Sequence, residues 1–376
     1  MSGATDSTTL DPVLQALQDQ VRDAAARGQA LCIRGAGTKD FLGGPLVGEP
    51  LDVRALRGIS SYEPTELVVT VRAGTPLAEL EAALAAQGQC LAFEPPRLGD
   101  PALGGGTVGG MVAAGLAGPA RAAVGGVRDY VLGATLLNGR AEVLSFGGQV
   151  MKNVAGYDVS RVLAGSMGVL GVLCEVSLKV LPLAPATATL RFDLDQTAAL
   201  RRVNEWSGQP LPINASAWWD GALVLRLRGA QAAVASATRR LGGEPVPEPM
   251  ASAFWDGLRD QRDEFFSLAA QAVAQGATLW RCSVAATAPR LALSPDDAQL
   301  IEWGGALRWV VSRLPADQVH ALAADARGHA QAWRGAAEGV ARVAAPPEAS
   351  LRIHRALKRA FDPAGVFNRD RLLPGL

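Results

Sequence analysis

Two glycine clusters in the first third of the chain have the composition of an anion cradle. They are Arg34-Gly35-Ala36-Gly37-Thr38 and Gly104-Gly105-Gly106-Thr107-Val108-Gly109-Gly110. Glycine lets backbone N–H groups approach a phosphate with no Cβ in the way, and successive amides in tight turns form a concave nest for negative charge. Two nests far apart in sequence suit an extended dinucleotide with two phosphates; two ordinary tight turns are the competing reading. Gly104-x-Gly106-x-x-Gly109 also spells the Rossmann fingerprint, which requires a strand immediately before it. Here the preceding residues are Glu94-Pro95-Pro96-Arg97-Leu98-Gly99-Asp100-Pro101, and that density of proline excludes a central strand. The first cluster does follow an apolar run, but Asp40 stands where the third glycine belongs. A Rossmann domain is therefore not expected.

Groups for acid–base, metal or thiol chemistry are sparse. The three histidines, His320, His329 and His354, fall in helix-like stretches and read as surface or half-buried helix residues. Cys32, Cys90, Cys174 and Cys282 stand far apart with no Cys-x-x-Cys pair. Neither a structural zinc nor an iron–sulfur cluster is expected, and the thiols read as a reduced, cytoplasmic set. No catalytic residue is assigned. Lys152, Tyr157 and Arg161 are the polar residues to watch near a cofactor, while Trp219, Trp280 and Arg281 either face it or belong to a second core. Lys plus Arg and Asp plus Glu both number 36, a balance that argues against nucleic-acid binding, which needs a basic excess.

The elements that must position these residues are well marked. The chain has 376 residues, 49% of them hydrophobic, enough for two domains with a sizeable core. The polar start MSGATDSTTLDP shows no secretory signal. Pro101 to Ala120 is uncharged and long enough to span a bilayer, but its seven glycines make it a buried loop and helix start instead. Asp11 and Pro12 open a first helix with Leu14, Leu17 and Val21 on one face, and Gly28 ends it. Strands are expected over residues 30–33, 67–71, 130–137, 141–146 and 171–180, with Asn138-Gly139 as a hairpin turn. A helix begins near Thr75 and Pro76 with Leu77, Leu80 and Leu84 as its stripe. After Pro182 and Pro185 a strand–helix–hairpin–helix pattern runs over 189–241 and returns in part over 278–327. The hairpins Trp219-Asp-Gly-Ala-Leu223 and Trp303-Gly-Gly-Ala-Leu307 suggest a weak duplication, with chance similarity as its rival. The duplicated region predicts one antiparallel sheet with helices on one face. A last helix carries Leu351, His354, Leu357 and Phe361, and Gly243 reads as part of a surface turn.

Four segments in order carry a family resemblance: Thr107-Val-Gly-Gly-Met-Val-Ala-Ala-Gly115, Val124-Gly-Gly-Val-Arg-Asp-Tyr-Val-Leu-Gly133, Lys152-Asn-Val-Ala-Gly-Tyr-Asp158 and Gly165-Ser-Met-Gly-Val-Leu-Gly171. The chain resembles the PCMH-type FAD-binding domain of the vanillyl-alcohol-oxidase superfamily, and within it the E-subunit family of bacterial glycolate oxidases. The tail Leu357-Lys-Arg-Ala-Phe-Asp-Pro-Ala-Gly-Val-Phe-Asn368 shares the likeness, which thins over 185–345. The resemblance implies an α+β fold: a PCMH-type FAD-binding domain of two α/β subdomains (1–183), a cap-like second domain (184–345), and a helix and tail returning to the first (346–376). It places Arg34, Gly35, Ala36, Gly37 and Thr38 on the FAD pyrophosphate. Thr107, Gly109, Gly110, Ala113 and Gly115 would line the diphosphate and ribityl region, Gly168 and Val172 would offer backbone near the rings, and Asp100 and Pro101 would flank the channel. It implies noncovalent FAD, because Thr38 ends the first loop where covalently flavinylated relatives carry histidine. It also implies a related FAD-binding catalytic subunit and an iron–sulfur subunit as partners, a small 2-hydroxy acid as the substrate of the complex, and a cytoplasmic location, with contact to the inner membrane made through that complex. Met167 and Val169 depart from the usual Gly-Ser-Glu-Gly-Thr-Leu-Gly, and Asn368-Arg369 replaces the usual Asn-Pro. A self-sufficient FAD oxidase of another alcohol or sugar acid, and an electron-relay or assembly flavoprotein, are the alternative functions.

Overall fold

A computed structural model of the chain describes residues 11–100, 102, 104–148, 158–337, 340 and 342–376. Asp11 caps the helix Pro12–Arg27 by accepting from the Val13 N–H at 3.0 Å, and Gly28 closes it at φ +65°. That helix buries Leu17, Val21 and Ala24 against a parallel pair of strands, Leu31–Arg34 and Glu49–Asp52. These elements cover one face of a five-stranded antiparallel sheet ordered Ile59–Glu63, Val68–Arg72, Val172–Lys179, Val131–Leu137, Val143–Gly147. The other face is covered by the helices Leu77–Ala85 and Val108–Ala114. Alternation along a strand assigns the faces: Leu136 and Val176 pack under those two helices, while Leu137 and Cys174 pack under the first helix. Leu77, Leu80 and Leu84 are fully buried, as their spacing requires, each contributing roughly 1.5–3 kcal/mol. The Asn138 turn forms as expected, its Oδ1 accepting from the Arg140 and Glu142 N–H groups. The sheet is antiparallel throughout, which excludes a Rossmann core.

A second sheet of eight strands is built almost as two mirror halves. Ala186–Asp193, Ala222–Gly229 and Ile213–Trp219 run in that spatial order, and Ala298–Glu302, Leu307–Ser312 and Thr278–Ser283 follow in the reverse sense. Glu244–Val246 and His329–Arg334 form the edges. The halves meet where Ala217 and Trp218 pair with Glu302 and Ile301, so the two hairpins with related sequences lie side by side, in keeping with the duplication. Helices Gln196–Ser207, Gln231–Leu241 and Ala316–Asp325 pack on one face, but the sheet is covered on both faces and not on one as expected. Two further helices, Glu248–Arg259 and Glu264–Ala274, lie on the other face, where Trp255, Phe265 and Phe266 meet Leu279, Trp309 and Trp333.

Ion pairs and the tail join the two sheets. Glu94, held at φ +50°, accepts from Arg226 through both carboxylate oxygens at 2.7 Å and from Arg228 at 3.1 Å, and Arg226 lies over the Trp255 ring. The helix Glu348–Phe361 carries a buried Lys358 that donates to Asp362, to the Val169 carbonyl and to the Phe367 carbonyl at 2.7–2.8 Å. Asn368 accepts from the Ile33 N–H at 2.7 Å and donates to the Met167 carbonyl at 2.6 Å. The tail thus ties the first glycine loop to the Gly165–Gly171 turn, and Arg369 closes its own bend on the Gly365 carbonyl at 2.6 Å. Among the described residues no helix is long and apolar enough to cross a membrane.

Candidate functional site

The strand Leu31–Arg34 ends in the first glycine loop, and the helix Val108–Ala114 begins at the second. The structure brings Arg34, Gly35, Ala36, Gly37, Thr38, Thr107, Gly109, Gly110, Ala113 and Gly168 together along one cavity. The two loops touch: a Cβ on Gly35 would collide with Thr107, and one on Gly106 would lie 2.7 Å from Thr38 Oγ1. The first loop leaves its amides without partners among the described residues. Gly37 turns at φ +73°, and the N–H groups of Gly35, Ala36, Gly37 and Thr38 donate to none of the described residues.

The second loop behaves differently. Val108 N–H donates to the Thr75 carbonyl at 2.9 Å, Gly109 N–H to the Ala73 carbonyl at 2.7 Å, and Gly110 N–H to Thr107 Oγ1 at 3.2 Å. These amides dock the helix on the neighbouring turn and are not free to bind an anion. Gly109 is required by packing, since its Cβ would lie 2.7 Å from that of Ala73. Gly110 is open, with Thr107 Oγ1 at 3.2 Å as the single close neighbour of a Cβ there. The second cluster therefore supplies room and the positive end of a short helix, while the first supplies the donors.

Gly115 lies on the larger cleft beside this cavity. Asp100 is exposed, lines neither space, and accepts from the Ala102 N–H at 2.9 Å. Val172 is fully buried among Leu17, Val21 and Leu137; its neighbours Gly171 and Leu173 reach the cavity and it does not. Pro101, Lys152 and Tyr157 lie outside the described residues. Arg161 pairs with Asp158 at 3.0 Å, away from both spaces. Trp280 is buried against His320, and Trp219 packs edge-on to Phe265, so both belong to the second core. Arg281 faces the cleft. His329 opens an edge strand and is not on a helix; His320 and His354 are helical as expected.

One residue of the cavity escaped the sequence reading although it adjoins the first loop. Lys39 points its Nζ to Thr38 Oγ1 at 3.3 Å and lies 3.2 Å from where a Gly106 Cβ would be. Asp40, next to it, is engaged by Arg34 at 2.5 Å, and Lys39 has no ion pair among the described residues. Burial pushes its ammonium down to about 8. Free amides, an unpaired cation and an open glycine together fit a bound diphosphate.

The adjoining cleft lies between the two sheets and holds about 1660 Å³. An ordinary small-molecule pocket holds roughly 300–1,000 Å³, so there is room for a large ring system and a second molecule.

Comparison with known proteins agrees with this geometry. A family model described as an FAD binding domain matches residues 14–147. The glycolate oxidase subunit GlcE of Escherichia coli K12 is 47% identical over 95% of this chain and 97% of its own length. The glycolate oxidase subunit GlcD of Bacillus subtilis 168 is 30% identical over 42% of this chain and 33% of its own. An alkyldihydroxyacetonephosphate synthase structure superposes with a TM-score of 0.61 at 13% identity, covering 94% of this chain and 73% of that one, a likeness of fold. On the strength of that near full-length identity, the chain belongs to the FAD-binding oxidoreductase family of the glycolate oxidase subunit GlcE.

Proposed function

We propose that this chain is the E-type, FAD-binding subunit of a glycolate (2-hydroxy-acid) oxidase complex. The observation that carries the reading is the row of unpaired N–H groups at Gly35–Thr38 facing the open side of Gly110 across one cavity. In this reading Arg34 to Thr38 hold the FAD pyrophosphate, and Thr107, Gly109, Gly110 and Ala113 shape its path. Gly115 and Gly168 flank the rings. When bound, the flavin accepts a hydride from an alcohol and passes electrons onward, while the protein supplies position and electrostatics. Residues 1–183 form the cofactor part, 184–345 the second part and 346–376 the returning tail. The two separate sheets and the bonds of Asn368 to Ile33 and Met167 support that division.

The flavin is held without a covalent bond, since Thr38 and Lys39 stand at the end of the loop and no histidine among the described residues lines this cavity. Acid precipitation of the yellow protein should leave all FAD in the supernatant; flavin that remains on the polypeptide would refute this.

The partners in this reading are a related FAD-binding subunit that oxidises the substrate and an iron–sulfur subunit that takes the electrons. The four cysteines here are unpaired, and three are buried at separate places. The likeness to a GlcD subunit over 42% of the chain supports a duplicated flavoprotein pair. The complex works in the cytoplasm, and any contact with the inner membrane is made by a partner. The test is turnover of glycolate with a dye acceptor by the FAD-loaded chain, alone and after adding the co-expressed partners. We expect turnover with the partners present; an isolated chain as fast as the complex would make it a self-sufficient oxidase.

A further inference from the structure

The wall of the large cleft that belongs to the second sheet carries a polar patch. Along Thr278–Ser283, Trp280 and Cys282 point into the core beneath the helix Ala316–Asp325. The alternate residues Arg281 and Ser283 therefore point to the opposite face and line the cleft. Register carries the patch onto the edge strand: Arg281 stands opposite Gln331 and Ser283 opposite His329. Both partners line the same cleft. Arg121 reaches it from the first sheet's side, just before the loop Gly125-Gly126.

Both guanidinium groups are held against one indole ring. Arg121 and Arg281 lie 5.0 and 5.1 Å from the Trp303 ring centre, and Arg281 is 5.9 Å from that of Trp309. Neither has an ion pair among the described residues. The other charges of the cleft are already engaged. Asp40 pairs with Arg34, and Asp370 accepts from the Gly375 N–H. Arg342 donates to the Phe41 carbonyl, and Arg371 to those of Asp40 and Gly44. Glu302, the carboxyl group nearest in effect to Arg281, is buried, accepts from Trp309 Nε1 at 2.7 Å, and is pushed up to about 8 by that burial. Burial and the neighbouring Arg281 hold the His329 imidazole below its usual value, so it is neutral there and able to donate or accept one hydrogen bond. Two stacked, unpaired cations beside a hydroxyl and a neutral imidazole form a site for a small anion that also carries hydroxyl or carbonyl oxygens.

We infer that Arg121, Arg281, Ser283 and His329 form a binding site for a small carboxylate within this chain, with Arg281 as its principal counter-ion. The site goes beyond the reading above, which leaves substrate oxidation to a partner. Carboxylate at this wall would be held in the same cleft that adjoins the cofactor cavity.

The test is calorimetric titration of the FAD-loaded chain with oxalate and glycolate, and with uncharged glycolamide as the comparison. FAD content is read from absorbance in every sample, so loss of the cofactor is distinguished from loss of the anion site. The expected result is that oxalate and glycolate bind and glycolamide does not. Arg281→Gln should weaken oxalate at least about tenfold with FAD content unchanged, as for the loss of a charge-assisted hydrogen bond. Should Arg281→Gln fail to fold because Trp303 and Trp309 lose their partner, Arg121→Gln and the acid–amide comparison decide. The inference is overturned if the FAD-loaded wild type binds no carboxylate, if it binds glycolamide as well as glycolate, or if folded variants of both arginines bind oxalate like the wild type.

Discussion

Replacing Gly110 by Glu should give a folded but colourless protein. The position has space: a Cβ there meets Thr107 Oγ1 at 3.2 Å and nothing else closer than 4 Å. A carboxylate in the first turn of the helix Val108–Ala114 does not oppose the helix dipole. The fold is therefore retained, while a negative charge enters the cavity opposite the amides of Gly35–Thr38. Two like charges about 5 Å apart at an effective dielectric of about 20 repel by roughly 3 kcal/mol, a loss of more than a hundredfold in FAD affinity. Gly110→Ala should keep its flavin. Gly109→Ala tests a different cause, because its methyl would press on Ala73 at 2.7 Å and loosen the helix itself. Gly243 is unsuitable as a neutral control: it is at φ +86°, and a Cβ there would meet the Phe192 ring at 2.6 Å. Gly208 is suitable, with one contact at 3.8 Å. The measurement is the ratio of flavin to protein absorbance after gel filtration, with circular dichroism for the fold. A Gly110→Glu protein as yellow as the wild type would mean that the cofactor does not pass this helix.

What the sequence revealed and what it hid follow from the range of the interactions. The first helix, the Leu77–Leu80–Leu84 stripe and the Asn138 hairpin depend on neighbours a few residues away, and each forms as its local pattern requires. The helices Glu248–Arg259 and Glu264–Ala274 were missed: the first opens on Pro247-Glu248-Pro249, which reads as a breaker although Pro is at home in a first turn. The edge strand His329–Arg334 has no β-branched residue and gives no strand signal.

At the site, the first glycine loop could be read as a nest because its turn is local. The second was misread because Ala73 and Thr75, which take up the Gly109 and Val108 N–H groups, lie more than thirty positions earlier. The polar wall of the cleft was hidden for a related reason. Arg281, Ser283, His329 and Gln331 share a face only through strand register, and a search for histidine–carboxylate metal spacing does not find paired guanidinium groups. Lys39 was in plain view beside Gly37-Thr38; what marks it is the engagement of Asp40 by Arg34, which spacing does not show.

Lys39→Met should weaken FAD binding by roughly ten- to a hundredfold at pH 7, the usual effect of losing a hydrogen bond to a charged group. The sign of the accompanying pH dependence follows from burial. Without the cofactor, the ammonium is pushed down to about 8 by desolvation, and no carboxylate pairs with it among the described residues; Arg34 and Asp40 engage each other. A diphosphate beside Thr38 favours the charged form, so the value rises on binding. Below pH 8 the lysine is charged in both states, and affinity is independent of its titration. Above pH 8 the free protein loses the proton that the complex keeps. Binding then takes up a proton, and affinity falls by at most about tenfold per pH unit. The other cations on this cavity are Arg34 and Arg371. Fluorescence titration of the apoprotein with FAD between pH 7 and 9 should show a flat limb and then a decline in the wild type, and a weaker, level profile in Lys39→Met. A wild-type profile that stays level to pH 9, or a variant that keeps the decline, would remove Lys39 from the diphosphate and leave the amides of Gly35–Thr38 to hold it alone.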